Sequence, residues 1–187
     1  MNISEYQNYH ETKSHTTADF PYNTYLCSIP RDFPGVPLHW HSEAELIVIK
    51  KGRGIVSSDF QKKAVTSGDI VLIRPGQLHS IEQDANHVME YENIIFKPDL
   101  LISGKDDLCA IQFITPLMEG QIPSVTYLTS ALSWYQPASE CIRQIDLLCA
   151  TRPDGYQLAI KGHLFQFFFL LISNRQKKET ASVSQTK

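Results

Sequence analysis

The spacing of four ligand-type side chains constrains this chain more than any other feature. His39 and His41 are one residue apart, Glu45 follows four positions after His41, and His79 comes just after a Pro75-Gly76 turn. Alternate residues of a strand point the same way, so His39 and His41 project together and Trp40 projects away, as an outer packing residue. Glu45 cannot join the histidines along a straight strand. Four residues would carry it ~13 Å past His41, whereas the ligands of one ion all lie ~2.0–2.2 Å from it. The chain must therefore turn at Ser42-Glu43-Ala44, and the next strand brings Glu45 back. Three imidazoles and a carboxylate form a donor set suited to a divalent transition metal such as Zn, Ni, Fe or Mn.

The pattern His-x-His-x-x-x-Glu-x6-Gly at His39, His41, Glu45 and Gly52 resembles the first cupin motif, and Gly68, Gly76 and His79 match the second. Gly35 lies closer to His39 than the motif prefers, Arg74 stands where the family has proline, and Gln83 stands where it often has asparagine. The runs Glu45–Ile49, Gly52-Arg53-Gly54 and Gly68–His79 are more specifically similar to the effector-binding domain of AraC/XylS-type transcription regulators. That resemblance implies a mainly β fold, a cupin or jelly-roll-like double-stranded β-helix, followed by two C-terminal α-helices. It also implies a small-molecule effector, a sugar among the classes, and a homodimer. DNA is then reached only through a helix-turn-helix domain not present in this chain.

A length of 187 residues fits one domain with extensions, long enough to bury a core. The net charge of −3 argues against a free-standing nucleic-acid binder. Cys27, Cys109, Cys141 and Cys149 show no metal-finger or redox spacing, and Cys141 and Cys149, eight apart in a helical-looking segment, read as small buried thiols. Met1–Ser14 is polar rather than a signal peptide. Leu164–Ile172, the longest apolar run, is too short to span a bilayer. A reducing cytoplasm is the expected setting, without membrane contact.

Residues 1–19 are polar without period and are expected to form a mobile arm. Short β-favouring runs follow, at Asn23–Ile29, Glu45–Lys50, Gly54–Ser58, Lys62–Thr66, Asp69–Ile73, Leu78–Gln83 and His87–Phe96. Prolines 30, 34 and 37 punctuate an intervening loop, and Lys51-Gly52 reads as a turn. This pattern predicts a barrel over 20–130, with Ala110–Ile114 and Val125–Leu128 as brief extended pieces. A helix is predicted from about Pro137, with Cys141, Ile142, Ile145, Leu148 and Cys149 on one face. A second is predicted after Pro153, with Asp154 as N-cap and Gln157 as its capping-box partner. Residues 131–175 thus form a helical dimerisation segment, and 176–187 a polar linker or tail.

Two readings of the quartet stay open. His39, His41, Glu45 and His79 either hold a metal or form a hydrogen-bonded pocket for an effector. Arg74 either faces the barrel mouth, where it pairs with an anionic effector, or is solvated in its turn. His10, His15, His87 and His163 receive no role. The last helix is apolar almost all round, and Leu164, Phe165, Phe168, Phe169 and Ile172 are its expected dimerisation residues. A sensing module that is not an enzyme is the reading these helices favour. The alternative is a metal-dependent cupin enzyme, a dioxygenase or isomerase.

Overall fold

The computed structural model describes residues 1–104 and 106–175. Among them the apolar runs form eight strands: β1 (Tyr22–Ile29), β2 (Gly35–His39), β3 (Ala44–Ser58), β4 (Gln61–Thr66), β5 (Ile70–Ile73), β6 (His79–Gln83), β7 (Met89–Phe96) and β8 (Tyr127–Leu128). The helices are α1 (Ile3–Gln7), α2 (Thr115–Met118), α3 (Tyr135–Thr151) and α4 (Tyr156–Ser173).

One long strand organises both sheets. The first half of β3 pairs antiparallel with β5 and β7, and its second half, Gly54–Ser58, pairs with β4 and β6. The sequence pattern predicts a turn at Lys51-Gly52, yet the strand continues through it. The register against β7 slips between Ile49 and Lys51, and Gly52 adopts φ 75°. A Cβ at Gly52 would lie 1.9 Å from Val88 O, so only glycine lets the strand pass from one sheet into the other here. β1 extends the first sheet beyond β7, β8 extends it beyond β5, and β2 lies against β6. β2 was not expected, because it contains Pro37. Its side chain is exposed, and the register shifts between Val36 and His39, an edge position where a missing N–H costs little.

Alternation along β3 divides the molecule into two cores. Ile47 and Ile49 face the barrel interior with Ile29, Val56, Val71, Ile73, Ile81, Met89 and Tyr91. Leu46 and Val48 face the opposite way, into a cluster with Ile94, Phe96, Leu117, Ile142, Leu164 and Phe168 that carries the helices. Burial on both faces makes the run Ala44–Ile49 almost uninterruptedly apolar. Outside this contact, the Lys50 ammonium bridges Glu92 of β7 (2.7 Å) and Asp146 of α3. The architecture is the mainly β, cupin-type barrel followed by two C-terminal helices.

Four local expectations change. Ala110–Ile114 is a helical turn continuing into α2, not an extended piece. Asp107 Oδ1 accepts from the Cys109 and Ala110 amides, and Ala110, Ile114, Leu117 and Met118 are buried at helical spacing. α4 begins at Tyr156 with Gly155 as N-cap and no side-chain cap, so Asp154 and Gln157 form no capping box. The arm is packed: α1 carries its own capping box of Asn2 and Glu5, and the Tyr6 hydroxyl donates to Gly76 O. Leu164 and Phe168 are fully buried within one chain, and so are not surface residues. Phe169 is 59% exposed, with Phe165 and Ile172 half-buried beside it. The segment 176–187 lies outside the described residues.

Candidate functional site

The site forms where β2, β3 and β6 meet beneath the arm. His39 ends β2, and His79 opens β6 directly opposite it in register. The chain then turns through Ser42-Glu43, and Glu45 becomes the second residue of β3. Trp40 points outward between the histidines. Its ring stacks on Tyr6 at 4.7 Å, its indole N–H donates to Tyr6 O, and its amide donates to Tyr9 O. Each outward contact of Trp40 fixes the inward aim of His39 and His41 on either side.

The structure brings the four expected side chains together. The ring centres of His39 and His79 are 4.1 Å apart, and those of His41 and His79 5.1 Å. Ligand atoms of His39, His41 and His79 lie within 4.8 Å of one another. Glu45 Oε2 is 3.1 Å from both His41 Nε2 and His79 Nε2. Carbonyl oxygens only accept, so His39 and His79 each donate Nδ1–H, to Pro37 O and Gln77 O respectively, both at 2.9 Å. That fixes the tautomer and leaves each Nε2 facing inward. The buried His79 Nε2 is close to Glu45 but too poorly aligned to hydrogen-bond with it. His41 Nδ1 likewise has no hydrogen-bond partner, with Glu43 Oε2 3.6 Å away.

Electrostatics follow from this packing. Burial works to raise the Glu45 carboxyl, but the hydrogen bond from His41 and the charges of His41 and His79 outweigh it and hold the group well below the ordinary carboxylate range. Burial likewise disfavours a charged His41, but Glu45, Glu43 and Glu11 together raise it above its usual value. His39 is lowered, first by burial and then by its neighbour His79.

Behind the quartet lies a cavity of about 310 Å³. The arm closes one side with Glu11, Lys13 and His15, and β1 and β7 supply Tyr25, Cys27, Tyr91 and Asn93. None of these was singled out from the sequence. Their signal is cross-strand register, since Tyr25 pairs with Asn93 and Cys27 with Tyr91. Tyr91 Oη, Asn93 Oδ1 and His15 Nδ1 are buried without a hydrogen-bond partner among the described residues. Burial pushes the Tyr91 hydroxyl up, so it stays protonated and able to donate. Arg74 does not join the site. Its guanidinium lies against Gly120, where an added Cβ would meet Nη1 at 1.7 Å, so Arg74 is packed on a loop outside the cavity.

A larger apolar groove of about 730 Å³ lies on the helical side, lined by Cys109, Phe113, Phe165, Phe169 and Ile172 among others. Among the described residues, no helix is long and apolar enough to cross a membrane.

The chain is 25% identical over 169 residues to the uncharacterized HTH-type transcriptional regulator YdeC of Bacillus subtilis (strain 168). The match covers 90% of this chain and 57% of that protein, so the chain spans little more than half the length of this relative. Among solved structures it is similar to a cupin protein from Bacteroides fragilis at 23% identity, covering 46% of this chain and 73% of that one, with TM-score 0.41. It is also similar to a Cupin 2 conserved barrel domain protein from Salinispora arenicola at 24% identity, covering 43% and 67%, with TM-score 0.37. The model of the AraC-like ligand binding domain matches residues 24–168, which takes in nearly all of the barrel, the quartet, α3 and most of α4, and the chain belongs to that family.

Proposed function

We propose that the cavity behind His39, His41, Glu45 and His79 is the effector site of a transcription regulator's sensing domain. One observation carries this reading: Tyr91, Asn93 and His15 line the cavity, and each carries a buried polar atom without a hydrogen-bond partner among the described residues. An unpaired buried polar group costs about 1–3 kcal/mol, and a ligand that pairs with it recovers that cost on binding. The cavity is at the small end of ligand pockets. The carboxylates of Glu11 and Glu45 and the Asn93 carbonyl make it rich in acceptors. A compact, hydroxyl-rich molecule of sugar or polyol type fits both properties. A thermal-shift screen of monosaccharides and polyols tests this. A ligand at ~100 times its Kd stabilises by about 2.7 kcal/mol, which raises Tm by roughly 5–10 °C in a chain of this size. If no small polar ligand shifts Tm, the assignment of this cavity is wrong.

The donor set also suits a divalent metal. Two imidazoles have Nδ1–H fixed on a carbonyl and Nε2 aimed inward, and Glu43 stands behind His41. These are the outer-shell supports that metal-ligating histidines have. His39, His41, His79 and Glu45 would hold a Zn, Ni, Fe or Mn ion, which supplies a Lewis-acidic point for a ligand oxygen. Metal content of protein purified without chelators, with His41→Ala alongside, is the measurement. The same donors favour a second reading, a metal-dependent dioxygenase or isomerase, which turnover by the metal-loaded protein would establish in place of sensing.

Phe165, Phe169 and Ile172 leave an apolar stripe on α4, and Phe113 lines the same groove. A second copy is its occupant in this reading, because a two-fold contact between identical helices buries the stripe on both chains. Sedimentation of wild type against Phe169→Glu tests it, and a monomeric wild type refutes it. The setting is cytoplasmic, and the complete regulator reaches DNA through a helix-turn-helix domain.

A further inference from the structure

The N-terminal arm places a further ligand-type side chain beside His39, at the edge of the three-histidine cluster. Glu11 Oε2 is 3.6 Å from His39 Nε2. Ligands held ~2.1 Å from one ion lie ~3.0 Å apart when they subtend 90° and ~3.4 Å at the tetrahedral angle. The two Glu45 contacts, at 3.1 Å, and the Glu11–His39 contact are all close to that range. The carboxylate is also held in place. The His15 side chain is only 8% exposed and donates Nε2–H to Glu11 Oε2 at 2.9 Å, four residues back along the extended arm. Lys13, the nearby cation, is instead over the Tyr25 ring at 5.1 Å. The backbone fixes the register of this segment, because the Glu11 amide donates to Trp40 O and the Trp40 amide donates to Tyr9 O. Glu11 precedes the stretch that the family shares, which begins at residue 24.

We propose that Glu11 is a further ligand of the divalent ion at His39, His41 and His79, so that metal binding and docking of the arm are one equilibrium. This rests on the metal reading given above. His15 orients the carboxylate as an outer-shell partner, and Trp40 carries the connection to the rest of the arm through its stacking on Tyr6. An ion bound only by the barrel residues leaves the arm indifferent to metal. An ion that also takes Glu11 binds the docked state more tightly, and removing it loosens residues 6–11.

Titration with Zn²⁺ in competition with a chelator, together with hydrogen exchange at the Glu11 and Trp40 amides, separates these cases. Wild type binds the ion, and metal slows exchange at both amides. Glu11→Gln loses tenfold or more in affinity, a range typical of ligand-shell changes, and loses the metal-dependent slowing while staying folded. Glu11→Asp keeps the charge but shortens the reach, and it is expected to weaken binding as Gln does. Full affinity in Glu11→Asp alongside weak binding in Glu11→Gln means that only the field of the charge matters, and overturns ligation. Equal affinity of wild type and Glu11→Gln overturns the role of the arm alone. No uptake by wild type overturns the metal reading and this proposal with it.

Discussion

Truncating Phe168 to alanine should unfold the protein far more readily than truncating Phe169, its neighbour in sequence. Phe168 is fully buried, edge-on to Phe96 of β7 at 6.0 Å and to Phe167 at 5.5 Å. Large-to-small changes of a buried Phe cost about 3–5 kcal/mol, and aromatic edge contacts add about 0.5–1.5 kcal/mol each beyond area. The upper half of that range is expected, because Phe168 joins α4 to the sheet and the rings around it cannot all collapse into the gap. Phe169 is 59% exposed, so less than half of a side chain worth about 1.5–3 kcal/mol is at stake within one chain. Its loss should cost about 1 kcal/mol. Urea unfolding followed by far-UV circular dichroism, at one protein concentration to hold self-association constant, reads both values. Midpoints for Phe168→Ala and Phe169→Ala within error of each other would refute the division of α4 into a barrel-facing and an outward stripe.

Tyr91→Phe removes a buried hydroxyl without a hydrogen-bond partner among the described residues, so the free protein should be unchanged or up to ~1 kcal/mol more stable. Effector affinity, by calorimetry, should fall roughly 3–10-fold in the same variant. Gly52→Ala should cost about 3 kcal/mol or more, because it meets both a positive φ and Val88 O, and urea midpoints report it. Lys50→Met leaves Glu92 and Asp146 facing each other without their shared cation; a loss of about 1–2 kcal/mol is expected for these partly exposed groups, measured by the same unfolding curves. In metal-free protein, the Glu45 contribution is complete above its ordinary 4.5 and is lost as pH falls toward its lowered value, and His39, lowered by burial, adds to the acid-side loss. The raised His41 contributes fully below its ordinary 6.5 and loses that contribution as pH rises through its raised value. Tm should therefore pass through a maximum in mildly acidic buffer, and Glu45→Gln should flatten it.

The spacing of the quartet was legible because a two-residue strand period and a short metal-ligand radius leave few arrangements for His39, His41 and Glu45. β2 was hidden by Pro37, which reads as a breaker until its edge position is known. Ala110–Ile114 has both β-favouring residues and a helical stripe, and the cap from Asp107 decides between them. Tyr91 and Asn93 were invisible because alternation along β7 sets them on the face opposite Glu90 and Glu92 but does not say that this face lines a cavity. α4 misled for another reason: a helix that is apolar all round has no periodic signal to separate Phe168 from Phe169. Glu11 and His15 belong to a polar segment whose order comes from Trp40, about thirty residues away.

β7 reads two environments at once. Tyr91 and Asn93 enter the cavity, while Glu92 between them points out to Lys50, which also holds Asp146 of α3. A strand is too stiff for one residue to move without its neighbours, so any displacement of the inner pair by a ligand is imposed on the outer ion pair through one peptide unit. The helical segment needs no separate messenger, because its footing and the cavity wall are the same piece of backbone. Thermodynamic reciprocity then runs the other way. Whatever clamps α3 in one position multiplies the affinity of the proposed site for its ligand by the same factor by which that ligand would strengthen the clamp.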